Sequence, residues 1–318
     1  MTEERAPEWF AAALAAEVAV AEVAVRGCPV RYRTWGRPGA PGIVLIHGGA
    51  AHARWWDHLA PILAGDGRHH VVAFDLSGHG DSGWRETYGL EVWPEEALAV
   101  AEHAGIEHPP VLVGHSMGGF VVIGAAALHG DRLAGGIIVD SPVRRPDPES
   151  QEGRSGRMFR KPKVYPSLDD ALAHFHLVPP QPPPPLHVVD HVARHSLRHT
   201  REGWTWKFDP RVFVAREDPS PADFGDLLAR VRCRMAVLHG ELSEIVDADV
   251  TDYMSERLGR TAPFVEIPQA HHHLILDQPL SFVTGVRALL ADWEHSVPHR
   301  IPGLADTGGV ARSDSPTR

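Results

Sequence analysis

Short apolar runs recur along the chain at Ile43–Ile46, His70–Phe74, Val111–Val113, Gly136–Val139 and Met235–Leu238, and each ends in a polar or glycine-rich turn. Helical stretches fall between them, at Trp55–Leu63, Pro94–Ala104, Gly118–Leu128 and Ala248–Leu258. A strand that is apolar at every position is buried on both faces. Such strands alternating with helices predict an α/β fold, a mostly parallel central sheet flanked by helices. In such sheets functional groups gather at the carboxyl ends of the strands.

Before this rhythm begins, Pro7–Ala16 reads as a short helix. Val20–Val25 and Val30–Trp35 read as two strands joined by the Arg26-Gly27 turn, the second alternating Val30, Tyr32 and Thr34 with Arg31 and Arg33. After it, Pro263–Ile267 is the last expected strand and Pro279–Trp293 the last helix. The rhythm is interrupted between Ser141 and Arg230, where Pro179-Pro180-Gln181 runs straight into Pro182 to Pro185. Such a run cannot form a core strand or helix. We therefore expect a core from residues 1–142 and 231–296, with 143–230 inserted as a largely helical lid. Residues 297–318 show no periodicity and are expected to form a disordered tail.

The 318 residues suit one large domain with such an insertion. The net charge of −10, without a basic stripe, argues against a nucleic-acid partner. Two cysteines, Cys28 and Cys233, do not make a disulfide framework and fit a reducing cytoplasm. The acidic start Thr2-Glu3-Glu4 is unlike a signal peptide, and Glu17 and Glu22 interrupt the apolar stretch Ala11–Val25. A cytoplasmic protein with no membrane partner is expected.

The most specific motif is Gly114-His115-Ser116-Met117-Gly118, set between the run Val111–Val113 and a helical stretch. Gly-x-Ser-x-Gly in that context is a sharp strand-to-helix turn. The glycines avoid backbone collisions, and the serine hydroxyl projects beside a helix N-terminus, where developing negative charge is favoured.

With this motif the sequence resembles the α/β-hydrolase superfamily, from about Val20 to Trp293. Three further segments carry the resemblance. Leu45-Ile46-His47-Gly48-Gly49 is similar to the family's oxyanion turn, implying Gly49 as one amide donor beside that of Met117. Asp75-Leu76-Ser77-Gly78-His79-Gly80-Asp81-Ser82 resembles a structural loop, with His79 as its organiser. Ile267-Pro268 through Asp277-Gln278-Pro279 is similar to the family's histidine loop, and its register places the general base at His272, between His271 and His273. Adjacent histidines point in different directions, so no metal site is expected there.

The triad acid departs from the commonest pattern. In the turn His239-Gly240-Glu241-Leu242-Ser243-Glu244, Ser243 stands where the family usually has its acid. Asp140, directly after the strand Gly136–Val139, is the favoured acid, with Asp247 and Glu244 as alternatives. The resemblance thus implies a Ser116-His272-Asp140 hydrolase acting on a small-molecule ester or lactone through an acyl-enzyme, with no metal or organic cofactor. Relatives similar to haloalkane dehalogenases and epoxide hydrolases carry Asp in the elbow, so Ser116 disfavours those chemistries. Thioester hydrolysis, carbon–carbon bond hydrolysis, cofactor-free dioxygenase chemistry and hydroxynitrile lysis remain compatible with a serine elbow, as does a silent ligand-binding member.

For the substrate pocket the sequence offers His52, after the oxyanion turn, and Trp204 and Trp206 in the lid. Trp55 and Trp56 read as core anchors. His187, His191, His195 and His199 recur every four residues and read as one histidine-rich helical face.

Overall fold

The computed structural model describes residues 5–146, 162–213 and 224–295. The expected tail, 297–318, lies outside the described residues. Ten strands are present among the described residues: β1 (Ala19–Val25), β2 (Cys28–Gly36), β3 (Gly42–Ile46), β4 (His70–Phe74), β5 (Val111–His115), β6 (Gly135–Val139), β7 (Leu197–Thr200), β8 (Gly203–Trp206), β9 (Arg234–Gly240) and β10 (Phe264–Ile267). The described α-helices are α1 (Glu8–Ala15), α2 (Ala60–Ala64), α3 (Trp93–His103), α4 (Met117–His129), α5 (Leu168–Ala173), α6 (Leu186–His195), α7 (Phe224–Leu228), α8 (Ala248–Arg257), α9 (Leu274–Asp277) and α10 (Pro279–His295). Among the described residues no helix is long and apolar enough to cross a membrane.

Eight strands form one sheet in the order β1-β2-β4-β3-β5-β6-β9-β10. β1 and β2 pair antiparallel, as do β2 and β4, and every later neighbour is parallel. The central strands are apolar throughout because each face has its own core. On β3, Val44 and Ile46 join the cluster under α3, α4 and α8, while Ile43 and Leu45 join the cluster under α1, α2 and α10. These four side chains are fully buried.

The stretch Trp55–Leu63, read from sequence as one helix, is two elements. A single 3₁₀ turn covers Ala53–Trp56, and α2 begins only at Ala60 with Pro61 in its first turn. Pro61 fits a helix start and not its interior. The chain between β6 and β9 carries α5, α6 and α7, and also the antiparallel ribbon β7–β8 in which Trp204 and Trp206 stand. Val188 and Val192 of α6 are fully buried in the same cluster as α1 and α10. The histidine stripe breaks where α6 ends: His187, His191 and His195 are helical, and His199 stands in β7.

The elbow depends on two close approaches. A Cβ at Gly114 would lie 2.1 Å from the Gly118 carbonyl oxygen, and a Cβ at Gly118 would lie 2.4 Å from that of Ile46. Both obstacles are backbone, so neither can rotate away. Gly114→Ala is expected to destabilise the protein by about 3 kcal/mol or more. Urea unfolding measures this, and a near-unchanged midpoint would show that the turn can open.

Candidate active site

Four neighbouring strands deliver the site. β5 leads into Ser116, β6 into Asp140, β9 into the Gly240–Ser243 turn, and β10 into the histidine loop. Because these strands are parallel and in register, their carboxyl ends lie along one rim.

Ser116 adopts φ 54°, ψ −119° at the N-cap of α4. A positive φ is costly for a side chain with a Cβ. The turn is held by neighbours: the Ser116 N–H donates to the Val139 carbonyl at 2.9 Å, and the Ser141 hydroxyl donates to the Ser116 carbonyl at 2.7 Å. Asp140 also has a positive φ, 48°. Its N–H donates to the Leu238 carbonyl at 2.8 Å, which aims its side chain over the end of β9.

Asp140 is fully buried. Its Oδ1 accepts the Gly240 N–H at 2.9 Å, and its Oδ2 accepts the Ser243 hydroxyl at 2.7 Å and His272 Nδ1–H at 2.8 Å. Three donors on one carboxylate compensate its burial. With Nδ1 carrying the proton, His272 Nε2 presents its lone pair to the Ser116 hydroxyl, 3.1 Å away. His272 is itself only 3 % exposed.

The alternative acids stand elsewhere. Asp247 caps α8 by accepting the Val250 N–H at 2.9 Å and pairs with Arg144 at 3.5 Å. Glu244 is exposed. His271 binds Asp277, through both its N–H and Nδ1, at 2.9 and 3.2 Å. His273 packs among Trp55, His115 and His272.

Gly49 lies in the turn after β3, and Met117 opens α4, where a helix N–H lacks an intrahelical partner. The turn abuts the elbow, since a Cβ at Gly48 would come within 3.2 Å of Ser116 Cβ. His47 braces it: Nδ1–H donates to the Gly48 carbonyl at 2.7 Å, and Nε2 accepts the Leu76 N–H at 3.0 Å. Asp75 adds to this by accepting the N–H groups of Ala53 and Asp81 at 2.6 and 2.8 Å. His79, fully buried at this loop, rings against His47 at 5.0 Å.

The sequence-derived pocket residues are placed less directly. His52 is 3 % exposed, and its Nε2 meets the Ser196 hydroxyl at the end of α6 at 2.9 Å. Trp204 rings against His199, and Trp206 against Tyr165 and Phe175, all within the same inserted segment.

Three contributors escaped the sequence reading. Ser243 is a donor to the acid, not a substitute for it. Gln181, the polar residue in the proline run, accepts the His273 N–H at 2.8 Å and reaches Asp277 at 3.3 Å. His115 Nε2–H donates to the His272 carbonyl at 2.9 Å. Among the described residues, ring nitrogens of His115, His272 and His273 come within 4.8 Å of one another. His272 already engages Asp140 and Ser116, and the lid histidines form no comparable group among the described residues.

Residues 43–284 match the alpha/beta hydrolase family, and the chain belongs to that family. It is 35% identical over 138 residues to epoxide hydrolase A of Mycobacterium tuberculosis, a match spanning 42% of each chain and so less than half of that relative. It is 25% identical over 263 residues to esterase Rv0045c of the same organism, covering 80% of this chain and 84% of that one. The solved structure of E-2-(acetamidomethylene)succinate hydrolase superposes with a TM-score of 0.73 at 19% identity, covering 86% of this chain and 100% of the other, a likeness of fold.

Two outcomes follow for stability. Ser243→Ala removes one donor from a fully buried carboxylate and should cost about 1–3 kcal/mol, read from denaturant unfolding. No change would mean that the hydroxyl is dispensable to Asp140. Burial also holds His47 and His58 down at about 4, and His115 at about 3. These imidazoles bind fewer protons folded than unfolded, so their contribution is complete above about pH 6.5 and is lost as pH falls toward 4. Asp75, pushed up to about 6 by burial, acts in the opposite sense. Burial lowers His52, His70, His195 and His273 as well, and raises the carboxyls of Glu96 and Asp277; the lowered imidazoles outnumber the raised carboxyls, so Tm should rise from pH 4.5 to 7. A flat or falling profile would contradict it.

Proposed function

We propose that this member of the alpha/beta hydrolase family cleaves a carboxylic ester or lactone of a small molecule, with Ser116 as nucleophile, His272 as general base and Asp140 as the triad acid. The observation that carries this reading is the continuous relay from Asp140 Oδ2 to His272 Nδ1 at 2.8 Å and from His272 Nε2 to Ser116 Oγ at 3.1 Å. These are working distances for proton transfer.

In the first half-reaction His272 Nε2 takes the Ser116 proton as Oγ attacks the substrate carbonyl carbon. The carbonyl oxygen becomes an oxyanion, held by the N–H groups of Gly49 and Met117 at the positive end of α4. Asp140 fixes the imidazole tautomer and stabilises its positive charge. The carbon–oxygen bond to the leaving alcohol then breaks, and His272 returns the proton to that alcohol. In the second half, His272 deprotonates a water that attacks the acyl-enzyme, releasing a carboxylic acid and restoring Ser116. The chain's own groups suffice for every step.

The likeness to an esterase over most of both chains supports ester chemistry. The epoxide hydrolase likeness covers less than half of each chain, and the elbow residue here is a serine. The excursion 143–230 serves in this reading as a lid. Gln181 ties its proline run to the histidine loop, and Trp204 and Trp206 are its aromatic contribution to specificity.

Ser116→Ala and His272→Ala should each lower kcat on a chromogenic short-chain ester by several powers of ten with Tm preserved, and Asp140→Asn by roughly 10⁴. A fluorophosphonate should add to Ser116, located by peptide mass. Should His271→Ala be inactive while His272→Ala turns over normally, the base is misassigned. Normal kcat in Asp140→Asn would remove the acid.

A further inference from the structure

A cavity of about 260 Å³ opens where α1, β2, the turn Ala53–Trp56 and α6 meet, and none of Ser116, His272 or Asp140 lines it. One wall is apolar, formed by Ala13, Leu14 and Val18. The facing wall carries two guanidinium groups, Arg33 and Arg54, with Trp35 beside them.

Asp57 organises the charged wall. Its carboxylate, 5 % exposed, accepts Arg33 Nε–H and Arg54 Nε–H at 2.9 Å each, and His191 Nε2 lies 3.1 Å from Oδ2. Burial pushes this carboxyl up, but His191 and the two arginines more than offset it and hold it below the usual carboxylate range. Both arginines are hydrogen-bonded through Nε, and the Arg33 guanidinium also lies over the Trp35 ring, 5.6 Å from its centroid. Their terminal Nη groups form no hydrogen bond among the described residues, and both arginines line the cavity.

The charge does not balance. Among the described residues lining the cavity, Asp57 is the one carboxylate set against two permanent cations. Next to them burial, and then the charge of Arg54, holds His195 down at about 4, so it adds no charge at neutral pH. A half-enclosed surplus of one positive charge, with donors in a fixed fork, matches a planar carboxylate. The apolar wall matches an aliphatic tail, and the volume limits its length to a short chain.

We propose that this cavity is a second, non-catalytic binding site for a short-chain aliphatic carboxylate, the head group on Arg33 and Arg54 and the tail along Leu14 and Val18. It stands independently of the reaction at Ser116.

The test is a titration of the full chain with octanoate, followed by Trp fluorescence and by Tm. Two controls separate the parts of the ligand: 1-octanol has the tail without the charge, and inorganic phosphate has charge without the tail. Octanoate should bind saturably and raise Tm, and both controls should bind at least about tenfold more weakly, the loss of one charged contact or of the tail burial. Arg54→Gln should weaken octanoate by a similar factor. Leu14→Asp should do the same from the opposite wall; Leu14 is already 38 % exposed, so the fold tolerates the change. Absence of octanoate binding overturns the proposal. So does undiminished affinity in both variants, or loss of binding after fluorophosphonate labelling of Ser116, which would put the ligand in the active site. Phosphate binding as tightly as octanoate would reduce the cavity to a simple anion trap and also overturn it.

Discussion

The structure turns on how the carboxyl ends of β5, β6 and β9 are locked in stagger. Two backbone hydrogen bonds do this, Ser116 N–H to Val139 and Asp140 N–H to Leu238, each from a residue with positive φ. Beyond these points the chains can no longer continue as strands, so each side chain is thrown over the rim toward its neighbour. The strain at Ser116 and Asp140 is tolerable because the surrounding ladder over-determines both conformations. His272 then needs only to arrive from β10 to meet two groups already fixed. Sheet register is in this sense the source of the 2.8 and 3.1 Å contacts.

What the sequence made legible was what one-dimensional pattern controls. Buried parallel strands announce themselves as unbroken apolar runs, and the elbow by glycines that backbone contact requires. Ser116, His272 and Asp140 are named from three separate segments, and His272 stands within hydrogen-bond reach of both others. The illegible parts are governed by partners far along the chain. Trp55–Leu63 has helical spacing, yet Asp57 is drawn to Arg33 and His191, and the helix restarts three residues later at Ala60. The β7–β8 ribbon has strands of four residues each and a turn, Arg201-Glu202, without the usual hairpin residues. Its pairing with Tyr165 supplies hydrogen bonds that local propensity does not reveal.

Ser243 illustrates a subtler limit. Position by position, it reads as the loss of an acid. In three dimensions its hydroxyl sits 2.7 Å from Asp140 Oδ2, so the position that holds a carboxylate in the commoner pattern here solvates one. Gln181 is similar: a polar residue amid prolines looks like a loop accident, but its amide fills the gap between His273 and Asp277. Side chains whose role is to satisfy another side chain leave no periodic trace.

The order of the three residues along the chain has a consequence for synthesis. Ser116 and Asp140 belong to the first half of the polypeptide, while His272 follows Asp140 by 132 residues and Ser116 by 156. A ribosome emits both hydroxyl and carboxylate long before the imidazole that would join them, and β9 with the turn after it, which together supply two of Asp140's donors, before β10. In the proposed reading, a nascent chain has no assembled relay until β10 has emerged and docked. Chain order alone then acts as a built-in latch.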